Sequence, residues 1–131
     1  MYSLNRVQII GYLTEKPEVR QLDSGVSVTN LDVEVKIKSR NPNNDQNMFS
    51  TFVRAVLWRR LAEIAGEYLD KNSQVYLSGR LETDSWEDDQ GVKRNRTRLV
   101  ADDMIILSPK NNVLPPLAES LNINGGINKV E

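Results

Sequence analysis

The sequence predicts an all-β fold, a five-stranded Greek-key barrel with one helix between the third and fourth strands. Four segments alternate in the period of two that is typical of half-buried strands, and a fifth, less regular segment follows them. About residues 59–69, apolar side chains are spaced as in a helix instead. The order is strand, strand, strand, helix, strand, strand with no internal repeat. That order is typical of the oligonucleotide/oligosaccharide-binding (OB) fold.

The first two strands are predicted at about residues 7–13 and 31–38. The first ends before Pro17, because proline lacks a backbone donor. The second alternates strictly between apolar and charged side chains. Upstream of it, Val28 lies on the opposite phase, which predicts a β-bulge near residues 29–30.

The third strand is predicted at about residues 49–57, after a polar loop at residues 39–47. The fourth strand covers about residues 75–81. A polar hairpin tip around Trp86 follows at residues 84–91, and the last strand runs over about residues 94–107. We therefore expect one domain at residues 1–108 and a flexible tail at residues 109–131.

The third strand has an unusual outward face. Side chains two apart on a strand point the same way, so Phe52, Arg54, Val56 and Trp58 share one side. The opposite side, with Val53, Ala55 and Leu57, suits a core. Two aromatic rings and a guanidinium on an outer surface suit a flat, negatively charged ligand, and nucleic-acid bases with their phosphates match that description.

Composition excludes several classes of site. The 131 residues include no cysteine and no histidine, which removes disulfides, thiolate catalysis and the commonest metal ligands. We expect no enzyme activity, no cofactor and no metal. No apolar run is long enough to span a bilayer, and the N-terminus lacks a secretory signal, so a cytoplasmic location without a membrane partner is expected.

The net charge of −1 excludes a globally basic nucleic-acid binder but leaves room for local basic patches. Such patches occur at Arg59-Arg60 and between Lys93 and Arg98. The arginines of the second patch could instead form ion pairs with Glu82 or Asp84, as solvated strand faces often do.

Several stretches resemble the bacterial single-stranded DNA-binding protein family, and they occur in that family's order between about residues 4 and 107. They are Asn5-Arg6-Val7, Pro17-Glu18-Val19-Arg20, Val28-Thr29-Asn30-Leu31, Leu61-Ala62-Glu63, Glu67-Tyr68-Leu69, Ser73-Gln74-Val75-Tyr76, Gly79-Arg80-Leu81, Trp86, Gly91 and Val100-Ala101-Asp102-Asp103. The resemblance implies a homotetramer that wraps single-stranded DNA without sequence preference during replication, recombination and repair, in association with the nucleoid.

The resemblance also implies the site. Base-stacking aromatics correspond to Phe52, Trp58 and Trp86, and basic residues near the DNA backbone correspond to Arg6, Arg20, Arg54, Arg60, Lys71 and Arg94. Arg96, in phase with Arg94 on the last strand, is expected to join them. As alternatives to binding, Trp58 could belong to the core and Phe52 to a subunit contact.

Three departures from the family keep another function open. Ser39 stands where many members carry a tryptophan, and Glu82 and Asp84 stand where the hairpin is often basic. The chain ends in Asn128-Lys129-Val130-Glu131 rather than in an acidic tip that recruits replication and repair proteins. They leave open a protein-interaction or primosome-type subunit with weak or no DNA binding. A carboxylate-metal hydrolase is a separate alternative, suggested by the acidic pairs Asp88-Asp89 and Asp102-Asp103.

Overall fold

A computed structural model describes residues 1–38 and 48–108. The predictions for Ser39 and the loop at residues 39–47, and for the tail at residues 109–131, lie outside the described residues. The elements are β1 (Val7–Leu13), β2 (Val19–Gln21), β3 (Ser27–Lys38), β4 (Met48–Trp58), α1 (Arg60–Tyr68), β5 (Gln74–Glu87) and β6 (Lys93–Ile106). Five long strands with one helix between β4 and β5 confirm the predicted OB-fold.

The strands form one sheet in the order β1-β5-β6-β4-β3-β2, and a further pairing of β1 with β3 closes it into a barrel. All pairs are antiparallel except β4 with β6. The short β2, which is not among the predicted strands, pairs with β3 over three residues. The helix is too short and polar to cross a membrane, and no other helix occurs in the described ranges.

The barrel interior is filled by the inward phase of each strand and closed by one side of α1. Its fully buried members are Leu13, Leu31, Val33, Ala55, Leu57, Ala62, Ala65, Leu69, Val75, Leu77, Leu99 and Met104. The helix begins after Arg59, whose φ is +59° and whose backbone N–H donates to the Ser27 carbonyl at 2.7 Å. This bond fixes the exit of the chain from β4 against the start of β3.

The predicted bulge near residues 29–30 is wrong. β3 pairs with β4 in an unbroken register from Val28 opposite Trp58 to Lys38 opposite Met48. The change of phase at Val28 has another cause, because Val28 faces the outside of the barrel yet is buried there against Val56 and Val100. The register shift lies instead between Ser78 and Gly79 in β5.

Gly79 is required by close packing at this shift. A Cβ atom at that position would collide with the backbone carbonyl of Val100 on β6. Any side chain would therefore push β5 away from β6, so glycine allows the long hairpin to continue across the irregularity.

Candidate nucleic-acid interface

The outer face of β4 is exposed as the alternation predicts. Phe52 is 66% exposed, Trp58 is 38% exposed and Arg54 lies between them, while Ala55 and Leu57 are buried in the barrel. The rings are therefore available to a ligand. Trp58 is therefore not part of the core, contrary to the alternative considered for it.

Val56 corrects part of this picture. It shares the phase of the two rings but is only 1% exposed, because β6 runs beside β4 and places Val100 directly against it. With Val28 on β3, these valines form a small apolar cluster on the outer side of the barrel. On the outer face of β4, this buried apolar cluster therefore lies between Arg54 and Trp58.

Cross-strand pairing brings Arg20 to Trp58. Arg20 on β2 lies opposite Val28, and Val28 lies opposite Trp58. Directly paired residues share one face of a sheet, and strands lie about 4.8 Å apart, so the Cα atoms of Arg20 and Trp58 are about 10 Å from each other.

Arg54 is held by Asp32 on the neighbouring strand. Its Nε and Nη2 atoms donate to the two carboxylate oxygens at 3.0 Å and 3.2 Å, which is the bidentate geometry that an arginine also adopts with phosphate. The pair borders a groove of about 370 Å³ between the β1–β2 connection and the barrel, whose lining also includes Lys16, Arg20, Glu15 and Glu18. The groove is thus lined by both signs of charge.

The β5–β6 hairpin carries the second aromatic site. Trp86 is 44% exposed and lies opposite Arg94, while Asp84 lies opposite Arg96. The Arg96 guanidinium carbon is 5.4 Å from the centre of the Trp86 ring, within the range of a cation–π contact. Trp86 was predicted in the hairpin tip but lies within β5, since the two strands pair as far as Glu87 and Lys93.

The turn of the hairpin is organised by Asp88. Its carboxylate accepts the backbone N–H groups of Val92 and Gln90 and the Nε of Arg94. The hydrogen bond from Val92, followed by that from Arg94, lowers the pKa of Asp88. Arg94 is therefore tied to the turn by a carboxylate that has a structural task of its own.

The remaining predicted residues lie outside β4 and the β5–β6 hairpin. All ten predicted side chains are exposed. Arg60 opens α1 and lies 3.6 Å from Glu63, and Lys71 is on the turn that follows the helix. Arg6 has two side-chain partners, because it donates to Asp102 at 2.9 Å and to the Ser78 hydroxyl at 2.6 Å. The Asp102 carboxylate raises the pKa of Arg6.

Tyr12 is an exposed aromatic that the sequence pattern did not single out. It lies opposite Glu34, which lies opposite Phe52, so both rings belong to one cross-strand row. The Lys36 Nζ is 5.6 Å from the centre of the Tyr12 ring. The available signal was the outward phase of the first strand, where Ile10 and Tyr12 are apolar although the inward phase already fills the core.

The carboxylates considered for a metal-dependent hydrolase are used separately. Asp102 binds Arg6, while Asp103 accepts the backbone N–H of Met104. Within residues 1–38 and 48–108, no group of three or more potential ligands is arranged around a common point. The geometry gives that alternative no support.

The chain is similar to one protein family and to two known proteins. The family described as "Single-strand binding protein family" matches residues 4–107. The "Single-stranded DNA-binding protein 1" of Chlorobaculum tepidum is 37% identical over 110 residues, which cover 83% of this chain and 68% of that protein. A chain of "Plasmodium falciparum SSB complex with ssDNA" superposes with a TM-score of 0.72 at 23% identity, covering 82% of this chain and 98% of that one, which shows a shared fold.

Proposed function

Since the chain belongs to the single-strand binding protein family, as its sequence resemblance indicated, we propose that it coats and protects single-stranded DNA without sequence preference. The observation that carries this function is the exposure of Phe52, Trp58 and Trp86 on the outside of a closed barrel. Aromatic side chains of this size usually bury most of their surface, so three exposed rings on one domain indicate a binding surface.

The proposed mechanism combines stacking with charge neutralisation. Every base has a flat face, so aromatic stacking tolerates all sequences and contributes roughly 1–3 kcal/mol per base. Arg54 and Arg20 flank the rings of the β4 face, and Arg94 and Arg96 flank Trp86. These guanidinium groups would neutralise phosphates between stacked bases. Duplex DNA offers no free base faces to the aromatic rings, because its bases already stack on one another.

The DNA-contacting residues proposed here are those predicted from the sequence. They divide into a β4 area and a hairpin area, with three basic residues at the periphery. The full set is Arg6, Arg20, Phe52, Arg54, Trp58, Arg60, Lys71, Trp86, Arg94 and Arg96. Because Arg6 already binds Asp102 and Ser78, we expect it to contribute least.

We also propose that the protein assembles as a homotetramer. Support comes from an apolar patch on the outer side of β1, β5 and β6, where Ile10 lies opposite Tyr76 and Tyr76 lies opposite Ile105. Ile10 is 52% exposed, and Tyr12 and Leu107 extend the patch. A second copy of the same sheet would cover this surface with matching apolar side chains.

The cellular role follows from the binding activity. Any process that exposes single strands needs them covered, so we propose roles in replication, recombination and repair, without enzyme activity or a cofactor. We place the protein in the cytoplasm at the nucleoid. Replication and repair proteins would then be its partners.

The direct test is a titration with dT oligomers followed by tryptophan fluorescence. Bases that stack on Trp58 and Trp86 should quench the emission, and the apparent affinity should fall with salt as counterions are released. A matched duplex is the control and should bind far more weakly. Failure of poly(dT) to bind at low salt would overturn the proposal.

One observation favours a second candidate, a protein-interaction or primosome-type subunit with weak or no DNA binding. Arg54, Arg94 and Arg96 each lie within 4.0 Å of a carboxylate, at 3.0 Å, 3.0 Å and 3.9 Å. If these ion pairs persist against DNA, the arginines are not available to phosphates. The same titration separates the two candidates.

A further inference from the structure

The binding face carries carboxylates at the positions where phosphates should bind. Asp32 holds Arg54 in a two-point contact. Asp84 lies 3.9 Å from the Nη2 of Arg96 and 3.2 Å from the Nε of Arg98. Both acidic side chains are about two-fifths exposed, so solvent and ligands reach them.

Asp32 has no evident structural task, whereas Asp84 also provides the countercharge for Arg98, which is only 22% exposed and has a buried Nε. Apart from Arg54, the side chain of Asp32 has no hydrogen-bond or ion-pair partner within the described part of the chain, and Asp84 has only Arg96 and Arg98 there. Asp88 differs, because it also accepts two backbone N–H groups of its turn. Exposed ion pairs contribute little to the stability of a fold. Asp32 therefore acts mainly on what Arg54 can bind, and Asp84 acts in this way on the exposed Arg96 while it also neutralises the mostly buried Arg98.

We propose that Asp32 and Asp84 are intramolecular competitors of the DNA phosphates and lower the affinity of this face for single strands. This inference rests on the proposed function and deepens it. Arg54 presents the same two donors to Asp32 that it would present to a phosphate, so the DNA has to displace the carboxylate. The displaced carboxylate then remains beside the bound phosphate and repels it.

Asp84 acts in the same way on the hairpin, but more loosely. The Arg98 Nε is close to its carboxylate without an aligned hydrogen bond, so one charge serves two arginines mainly through electrostatic attraction. Trp86 and the Arg96 guanidinium lie together on this surface. A base stacked on Trp86 would therefore bring its phosphate toward the charge of Asp84.

The test compares Asp32→Asn and Asp84→Asn with the wild-type protein in dT titrations across salt. Each amide keeps the shape of the side chain and removes its charge. We expect each variant to bind about two- to fivefold more tightly, which corresponds to the loss of one exposed ion pair. The salt dependence, as log affinity against log salt, should steepen by up to about 0.7 per variant, because no freed carboxylate recaptures a counterion.

Glu67→Gln is the matched control. Glu67 is exposed on α1, and the described part of the chain gives it no ion pair. It changes the net charge by the same amount, so an equal gain in affinity there would overturn the proposal. Unchanged or weaker binding by both aspartate variants would also overturn it, since the carboxylates would then only orient the arginines. If neither the wild-type protein nor the variants bind dT oligomers, the proposed function itself fails. If the wild-type protein binds them and the aspartate variants bind with the same affinity, only this inference fails.

Discussion

Replacing Phe52 gives the sharpest test of base stacking, because this ring is open to solvent and both tryptophan reporters remain. With 66% of its surface exposed, the side chain buries about a third of its area. A fully buried aromatic contributes 150–250 Å², so roughly 50–85 Å² is at stake, or about 1–2 kcal/mol of folding free energy at 25 cal/mol per Å². The folded state should survive Phe52→Leu, which keeps most of this apolar area.

The binding loss should be larger than the stability loss. Leucine has no flat face, so Phe52→Leu removes one stacking platform worth about 1–3 kcal/mol, and the dissociation constant for dT oligomers should rise about 5- to 150-fold. The assay is tryptophan quenching at fixed salt, with urea unfolding of the same samples to measure stability.

Phe52→Trp is the positive control, because it restores a flat ring at the same position on β4. We expect it to bind at least as tightly as the wild-type protein. Wild-type affinity in Phe52→Leu, with the fold intact, would refute the stacking role of this face. It would instead favour the other interpretation of Phe52, as part of a subunit contact.

Three further predictions concern the hairpin, the turn and the assembly. Gly79→Ala should destabilise the fold by about 1–3 kcal/mol through overlap with the Val100 carbonyl, and an unchanged urea midpoint would contradict the packing argument. The folded pKa of Asp88 is depressed, so the support that it gives the turn is complete above its ordinary pKa of 3.8 and is lost as pH falls through the lower folded value. NMR shifts of the Val92 amide should report this transition, and Asp88→Asn should abolish it. Ile10→Glu should convert tetramers into smaller species by light scattering, while Val92→Glu, at an apolar position on the hairpin of similar exposure, should leave the mass unchanged.

Local periodicity was sufficient for the order of elements. The helical spacing of residues 59–69 corresponds to α1 at nearly those bounds, and the strict alternation of residues 31–38 corresponds to β3, which begins four residues earlier. Strand alternation and helical spacing depend on neighbours in sequence, so one segment carries enough information to predict them. The exposed rings of Phe52 and Trp58 follow from the same local rule.

Burial on the outside of the barrel could not be predicted in this way. Val28 and Val56 have the phase of exposed residues, and only the parallel contact of β4 with β6 covers them. The bulge inferred from Val28 failed for this reason. A phase change along one strand has two explanations, and only the neighbouring strand distinguishes them.

The partners of the arginines were equally beyond the local pattern. Arg96 and Arg98 do lie beside Asp84, which was one of the two predicted outcomes, but Arg94 turns to Asp88 instead. The pairing of Arg54 with Asp32 spans 22 residues and depends on the register of β3 against β4.

The sequence by itself determined the succession of strands and helix, the side of each strand that fills the core, and the aromatic rings that lie on the outer side of β4. The tertiary structure alone decided which charges meet across strands and which outward residues are covered. The physical reason is that side-chain direction is a local property of the backbone, whereas contact depends on how segments far apart in the chain align when the barrel closes.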